Sequence, residues 1–265
     1  FQSGWYHFMY ALREDWRKHR WWPYALAQRV AWKRLYKRLI PEYKYCIVAS
    51  KSSEAALAKL DMRAKFLPYP WSNEGAVDRD YKRIRPSTPT FLFFGNLVGL
   101  GSRSSLHFLF SELYPRLIAH WGSNGFHIII GGSDELPKWV SKIIDQYQEI
   151  EFIGFIRDLT KRISDVHAVL VPIDVPVGNR SRILTAQAKR GLVVTHRNAA
   201  LGNSFLLHGE NCLLADSADE FLACMVESVE NDIESLRIID QAENSYLDHY
   251  SPEMATKYLL DIVAS

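Results

Sequence analysis

One stretch of this 265-residue chain constrains its fold more than any other. Residues 169–195 read VLVPIDVPVGNRSRILTAQAKRGLVVT: an apolar run, a proline and glycine turn, a segment of helical period closed by Gly191, and a second apolar run. Strands that are apolar at every position, rather than at alternate ones, are buried on both faces. Such strands pair in parallel, with helices covering both sides of the sheet. The turn also carries Arg180 and Arg182 at the mouth of the helix. Backbone N–H groups, the positive end of the helix dipole and two guanidinium forks would converge there, the combination that holds a diphosphate. An arginine pair in the first turn of a surface helix is more often solvated, so the segment alone leaves both outcomes open.

The surrounding sequence repeats the alternation. Apolar runs at 91–94, 126–130, 151–153, 168–171, 192–195 and 212–214 are separated by helical patterns at 104–120, 137–146, 158–163, 181–190 and 218–229. Two further helical segments, split near Pro252, close the chain. This predicts an α/β protein with a doubly wound parallel sheet over residues 89–265. Three of the runs end in Gly95, in Gly131 and Gly132, and in Pro172, and ligands of open parallel sheets bind in the crevice beyond the carboxyl ends of the strands.

Residues 1–88 have a different character. Trp16, Arg17, Lys18, His19, Arg20, Trp21 and Trp22 precede Pro23, which is expected to open a helix running to Ile40. On that helix Gln28, Trp32, Leu35 and Leu39 recur at helical steps, while Arg29, Lys33, Arg34, Lys37 and Arg38 fill much of the remaining circumference. A helix of this kind packs its tryptophan stripe on a neighbouring domain, or lies on an anionic membrane surface through residues 16–40. A short strand at 45–50 and an alanine-rich helix capped from Ser50–Ser53 follow, then a proline-punctuated extended segment at 65–71 and a polar linker at 72–89.

The totals narrow the function classes. A chain that is 48% hydrophobic and 23% charged can bury a sizeable core, and a net charge of +2 supplies no global attraction to nucleic acid. Cys46, Cys212 and Cys224 are widely spaced in apolar or helical settings, as expected of reduced thiols in a cytoplasmic protein. The histidines have no metal-ligand spacing; His196, at a strand end, is the one closest to the expected crevice.

Taken in order, these junctions resemble the C-terminal half of the retaining GT-B glycosyltransferases of the group 1 type. FFGNL at 93–97 resembles the family's opening strand and glycine turn, and FHIIIGG at 126–132 its second strand. EFIGFIRD at 151–158 is similar to the strand and loop that border the donor's base. GNRSRILTA at 178–186 is similar to the segment at the donor diphosphate, and HGENCLLAD at 208–216 to a following strand approach. Residues 5–71 resemble the tail of the family's N-terminal, acceptor-side domain, about half of which is expected to lie upstream.

The resemblance implies transfer of a sugar, with retention, from a nucleotide-sugar to a glycan or lipid-linked acceptor, as in polysaccharide biosynthesis. The protein would be cytoplasmic and peripheral at the inner membrane surface. It implies that Arg180 and Arg182 stabilise the leaving diphosphate without a cofactor or protein-bound metal. Gly95, Asn96, Arg103, Phe155, Ile156, Gly178, Asn179 and Thr185 would bind the donor. The departures are specific: Val177 and Thr185 stand where the family places two glutamates, Arg182 where it has lysine, and Asn96 where it often has arginine. They leave an alternative, a catalytically impaired relative that acts as a binding or scaffold subunit.

Overall fold

The computed structural model describes residues 2–72, 85–176 and 180–264. It opens with helix α1 (Gln2–Glu14), a 3-10 turn, and α2 (Trp22–Leu39), which carries Pro23 in its first turn, where a missing N–H breaks no helical hydrogen bond. Next come β1 (Ile47–Val48), α3 (Lys51–Ala58) and β2 (Lys65–Phe66), with the two strands paired in parallel. The Ser50 hydroxyl accepts a hydrogen bond from Ser53 N–H, capping α3 as its position in the sequence predicts.

The main sheet is built from β3 (Thr90–Phe94), β4 (His127–Gly131), β5 (Ile150–Phe152), β6 (Ala168–Val171), β7 (Val193–His196) and β8 (Leu213–Ala215). All of its pairings are parallel, in the order β5-β4-β3-β6-β7-β8. The chain winds outward from β3 to β5, returns to β6, and winds outward again to β8. The winding direction therefore reverses between β3 and β6, the place where open sheets of this kind leave a crevice.

Every residue of β3, β6, β7 and β8 is buried, which is what unbroken apolar runs require. Alternate residues feed opposite layers. Phe91, Phe93, Ile128, Ile130, Leu170 and Val194 join one core, while Leu92, Phe94, Ile129, Val169, Val171 and Val193 join the other. The covering helices are α4 (Leu100–Phe108), α5 (Tyr114–Trp121), α6 (Lys138–Ser141), α7 (Leu159–Ser164), α8 (Ser181–Ala188), α9 (Arg197–Ala200) and α10 (Ala218–Glu230), followed by α11 (Asp232–His249) and α12 (Pro252–Ala264).

Two helices differ from their sequence patterns. The segment expected to be one helix over 104–120 starts at Leu100 and contains a π turn, Leu109–Leu113, in which the Tyr114 N–H donates to the Leu109 carbonyl. Pro115 is the cause: it lacks an N–H and its ring crowds the carbonyl four residues back, so the chain widens by one residue before α5 resumes. The pattern at 137–146 yields only the single turn of α6 and a 3-10 turn at Ile144–Gln146. Val140, Ile143 and Ile144 are β-branched and neither piece has a side-chain cap, so packing rather than helical propensity sets its length.

The N-terminal residues are stitched to the main sheet at several points. Tyr10 of α1 is buried in a core layer of the sheet, and Glu14 forms a two-bonded ion pair with Arg103 of α4, at 2.7 and 2.5 Å. Lys51 N–H donates to Gly202 O, Trp71 N–H to Tyr250 O, and Tyr45 Oη to Val263 O on α12. Residues 73–84 of the expected linker lie outside the described residues. Cys212 and Cys224 are buried, and burial pushes their thiols up to about 12 and about 11, whereas Cys46 is half-buried. Among the described residues no helix is long and apolar enough to cross a membrane.

Candidate functional site

At the switch point, the loop after β3 faces the loop that leads from β6 into α8. Gly95 follows β3 with φ +125°, a conformation that side chains rarely adopt, and its N–H donates to Gly131 O. A Cβ on Gly95 would stand 2.7 Å from Arg182 Nη2, so the guanidinium lies flat against this glycine. Gly132, at the end of β4, meets the same glycine from the other side: a Cβ there would be 2.6 Å from Gly95 N. Both glycines are thus demanded by close approach, and their spacing along the sequence conceals that they touch.

Arg182 is held by a hydrogen bond and a ring contact. Its Nη2 donates to Ser102 Oγ at 2.7 Å, Ser102 in turn donates to Asn96 O, and its Cζ lies 4.9 Å from the centre of the Phe93 ring. Its Nη1 is shut off from solvent and has no hydrogen-bond partner among the described residues. Burial, followed by the charge of Arg180, lowers the Arg182 pKa to about 10, so it remains a cation at neutral pH. A buried cation that, among the described residues, has an unfilled donor and no ion-pair partner is costly, and an anion is the natural complement.

Arg180 occupies the residue position just before α8 and donates from Nη2 to Val175 O at 2.7 Å. Burial lowers its pKa to about 10 as well, against the raising effect of Asp174. Its Nη1 lies 3.7 Å from where a Cβ on Gly101 would be, in the first turn of α4. The first turns of α4 and α8 therefore meet at the two arginines, and neither helix has a side-chain cap on its N-terminal N–H groups. Two helix dipoles and two guanidinium groups converge where the sequence placed one helix and two arginines.

The other expected donor contacts divide. Asn96 is exposed at the lip of the cleft, where its Oδ1 accepts from Val98 N–H. Phe155 is 65% exposed, and its N–H donates to Asp134 Oδ1. Ile156 packs under Gly131, where a Cβ would come within 2.9 Å of it. Both border a cavity of about 480 Å³, also lined by Ile153, Arg157 and Lys161. Thr185 turns its hydroxyl back along its own helix to donate to Ser181 O. Arg103 does not join this group: it lies on the side of α4 that faces α1, where Glu14 accepts from its Nε and Nη2. Gly178 and Asn179 lie outside the described residues, as does Val177.

His196 is buried, its Nδ1 accepts the Asn198 N–H at the start of α9, and burial lowers its pKa, all of which suit a neutral capping role. Among the described residues no cluster of His, Cys, Asp and Glu is arranged to hold a metal. Sequence reasoning missed Ser102 and Phe93 as partners of Arg182. The double glycine at Gly131 and Gly132 was the one available signal that a second strand end closes on Gly95.

A protein-family model described as glycosyl transferases group 1 matches residues 88–231, more than half of the chain. No curated protein matches the sequence. Among solved structures, a TarM variant from S. aureus in complex with fondaparinux, α-GlcNAc-glycerol and UDP is 14% identical, with a TM-score of 0.68 over 85% of this chain and 45% of that one. Anabaena HepE in complex with UDP and glucose is 14% identical, with a TM-score of 0.67 over 88% and 66%. Sucrose-phosphate synthase from Thermosynechococcus elongatus is 15% identical, with a TM-score of 0.66 over 88% and 62%. The chain thus spans between about half and two thirds of these relatives' lengths.

Proposed function

The chain belongs to the group 1 glycosyltransferases, and from that premise we propose that it transfers a sugar from a nucleoside-diphosphate donor bound at Arg180 and Arg182. The observation that carries this is the Arg182 guanidinium, buried against Gly95 with Nη1 unsatisfied among the described residues, at the point where two helix N-termini meet. When the bond to the anomeric carbon breaks, negative charge develops on the diphosphate. Donors already in place and already desolvated stabilise that charge without reorganising, so the two arginines and the helix amides do this work without a protein-bound metal. The donor's base occupies the cavity beside Phe155 and Ile156, and the sugar is transferred with retention.

On the acceptor side, α2 supports a lipid-linked or membrane-presented glycan, with the protein at the cytoplasmic face of a membrane. Trp21, Trp22 and Trp32 are 52%, 53% and 46% exposed rather than packed on a neighbour, and Arg29, Lys33, Arg34, Lys37 and Arg38 share their helix. The exposed stripe also fits packing against a neighbouring domain, the other outcome its sequence pattern allows. The scaffold alternative has one observation in its favour: the Thr185 hydroxyl, in place of a carboxylate, is occupied by its own helix.

The deciding experiment is calorimetry of the full chain with UDP, GDP and ADP, followed by transfer assays with the matching nucleotide sugars and NMR of the product's anomeric configuration. Binding with turnover and retained configuration supports the proposal. Binding without turnover under any acceptor favours the scaffold, and no binding of any nucleotide removes the donor-site assignment.

A further inference from the structure

The site contains one carboxylate that neither the sequence pattern nor the proposed donor contacts used. Asp174 lies on the loop after β6, at the switch point, two residues past Pro172. Tyr10, from the N-terminal helix, is buried, and its hydroxyl donates to Asp174 Oδ1 at 2.5 Å. The Asp174 backbone is pinned too, since Asn198 Nδ2 donates to its carbonyl at 2.8 Å. The residue is half-buried, and Oδ2 has no hydrogen-bond partner among the described residues. Its charge reaches both Arg180 and His196.

One oxygen is fixed by a buried tyrosine, the backbone is clamped, and the other oxygen has no hydrogen-bond partner among the described residues, within electrostatic reach of the arginine that opens α8. A carboxylate accepts several hydrogen bonds, and one anchored on a single oxygen keeps most of that capacity for a ligand. Anions do not supply such bonds; hydroxyl groups do. In a cleft whose cationic half serves a diphosphate, the hydroxyl-bearing part of the same molecule is the sugar.

We propose that Asp174, positioned by Tyr10, accepts hydrogen bonds from hydroxyls of the donor sugar and so determines which sugar this chain selects. The proposal rests on the donor-site assignment above. It divides the site into a part that reads charge, centred on Arg182, and a part that reads hydroxyls, centred on Asp174. It also makes α1 a contributor to the donor site through the Tyr10 hydroxyl, although α1 is remote from that site in sequence.

The test compares wild type, Asp174→Asn and Tyr10→Phe by calorimetry against paired probes: UDP with UDP-glucose and UDP-N-acetylglucosamine, and GDP with GDP-mannose. For the pair that wild type binds, Asp174→Asn is expected to weaken the nucleotide sugar about 10- to 100-fold, as for a lost hydrogen bond to a charged group. The nucleoside diphosphate should bind equally well or more tightly, because a nearby negative charge has gone; its retained binding also reports that the variant is folded. Tyr10→Phe should move the sugar affinity in the same direction by a smaller factor. Equal weakening of diphosphate and nucleotide sugar, or no change in either, overturns the sugar role while leaving the donor site standing. If wild type binds none of the probes, the donor site falls and this proposal falls with it.

Discussion

Two helices of this protein begin beside paired or clustered arginines, and they stand in opposite relation to water. In α8 the guanidinium groups of Arg180 and Arg182 are desolvated, held by backbone and side-chain oxygens, and pressed on a glycine. In α2 the cations share the helix with exposed aromatic rings, and Ala25 is its buried residue. The residue type is the same and the consequence differs. A buried cation fixes the position of one anion and is little affected by salt, whereas exposed cations create a diffuse field that decays over a Debye length, about 8 Å at physiological ionic strength. A count of basic residues therefore distinguishes neither function; burial does.

The largest effect expected from this contrast is at Arg182. Replacing it with methionine should weaken nucleoside-diphosphate binding by about 2–5 kcal/mol, because a desolvated charge partner is lost. The same change should raise the melting temperature of the ligand-free protein, since it removes a buried cation with an unfilled donor. Calorimetry and thermal unfolding of one sample read both signs. A variant that binds as wild type does would place Arg182 in the same class as the solvated arginines of α2.

Next in size is Gly95→Ala. The added methyl would strain a backbone held at φ +125° and displace a guanidinium that has Phe93 and Ser102 at its back. A destabilisation of about 1–3 kcal/mol is expected, accompanied by weaker diphosphate binding. Denaturant unfolding with unchanged midpoint would show that the contact with Arg182 is loose.

The exposed helix should respond in small, additive, salt-dependent steps. Each of Lys33, Arg34, Lys37 and Arg38 changed to Gln is expected to reduce binding to vesicles containing anionic phosphatidylserine by about 1 kcal/mol at low salt. Folding stability should stay within about 0.5 kcal/mol of wild type. Co-sedimentation that is absent at low salt, or unchanged at high salt, would remove the membrane role and leave α2 as a packing surface.

The smallest effect belongs to the seam between the two regions. Burial opposes ionisation of Glu14, but the nearby His107 ring and the two hydrogen bonds from Arg103 outweigh it and leave its pKa at about 2. A carboxyl whose pKa falls on folding contributes stability above its unfolded value, near 4.5, and that contribution disappears as the pH drops toward 2. Glu14→Gln should therefore be less stable than wild type at neutral pH, with the difference shrinking through this window. Parallel unfolding curves at every pH would show that the pair contributes nothing to docking α1.

The sequence by itself determined the parallel sheet, because strands such as FLFF and VLV admit only a position buried on both faces. It also determined the turn chemistry at Gly95 and the capping of α3 by Ser50, since both are local properties of a few consecutive residues. The helical interruption before Pro115 was legible in principle, as proline cannot continue the ladder. What it could not settle was which charges meet. Arg103 and Arg182 are alike in sequence, each near the start of a helix after a glycine turn, yet one is taken by Glu14 and the other faces Gly95. Tyr10 and Asp174 are separated by 164 positions and meet at hydrogen-bond distance. Those pairings depend on how helices pack on the finished sheet, and packing is a long-range property that no window of sequence contains.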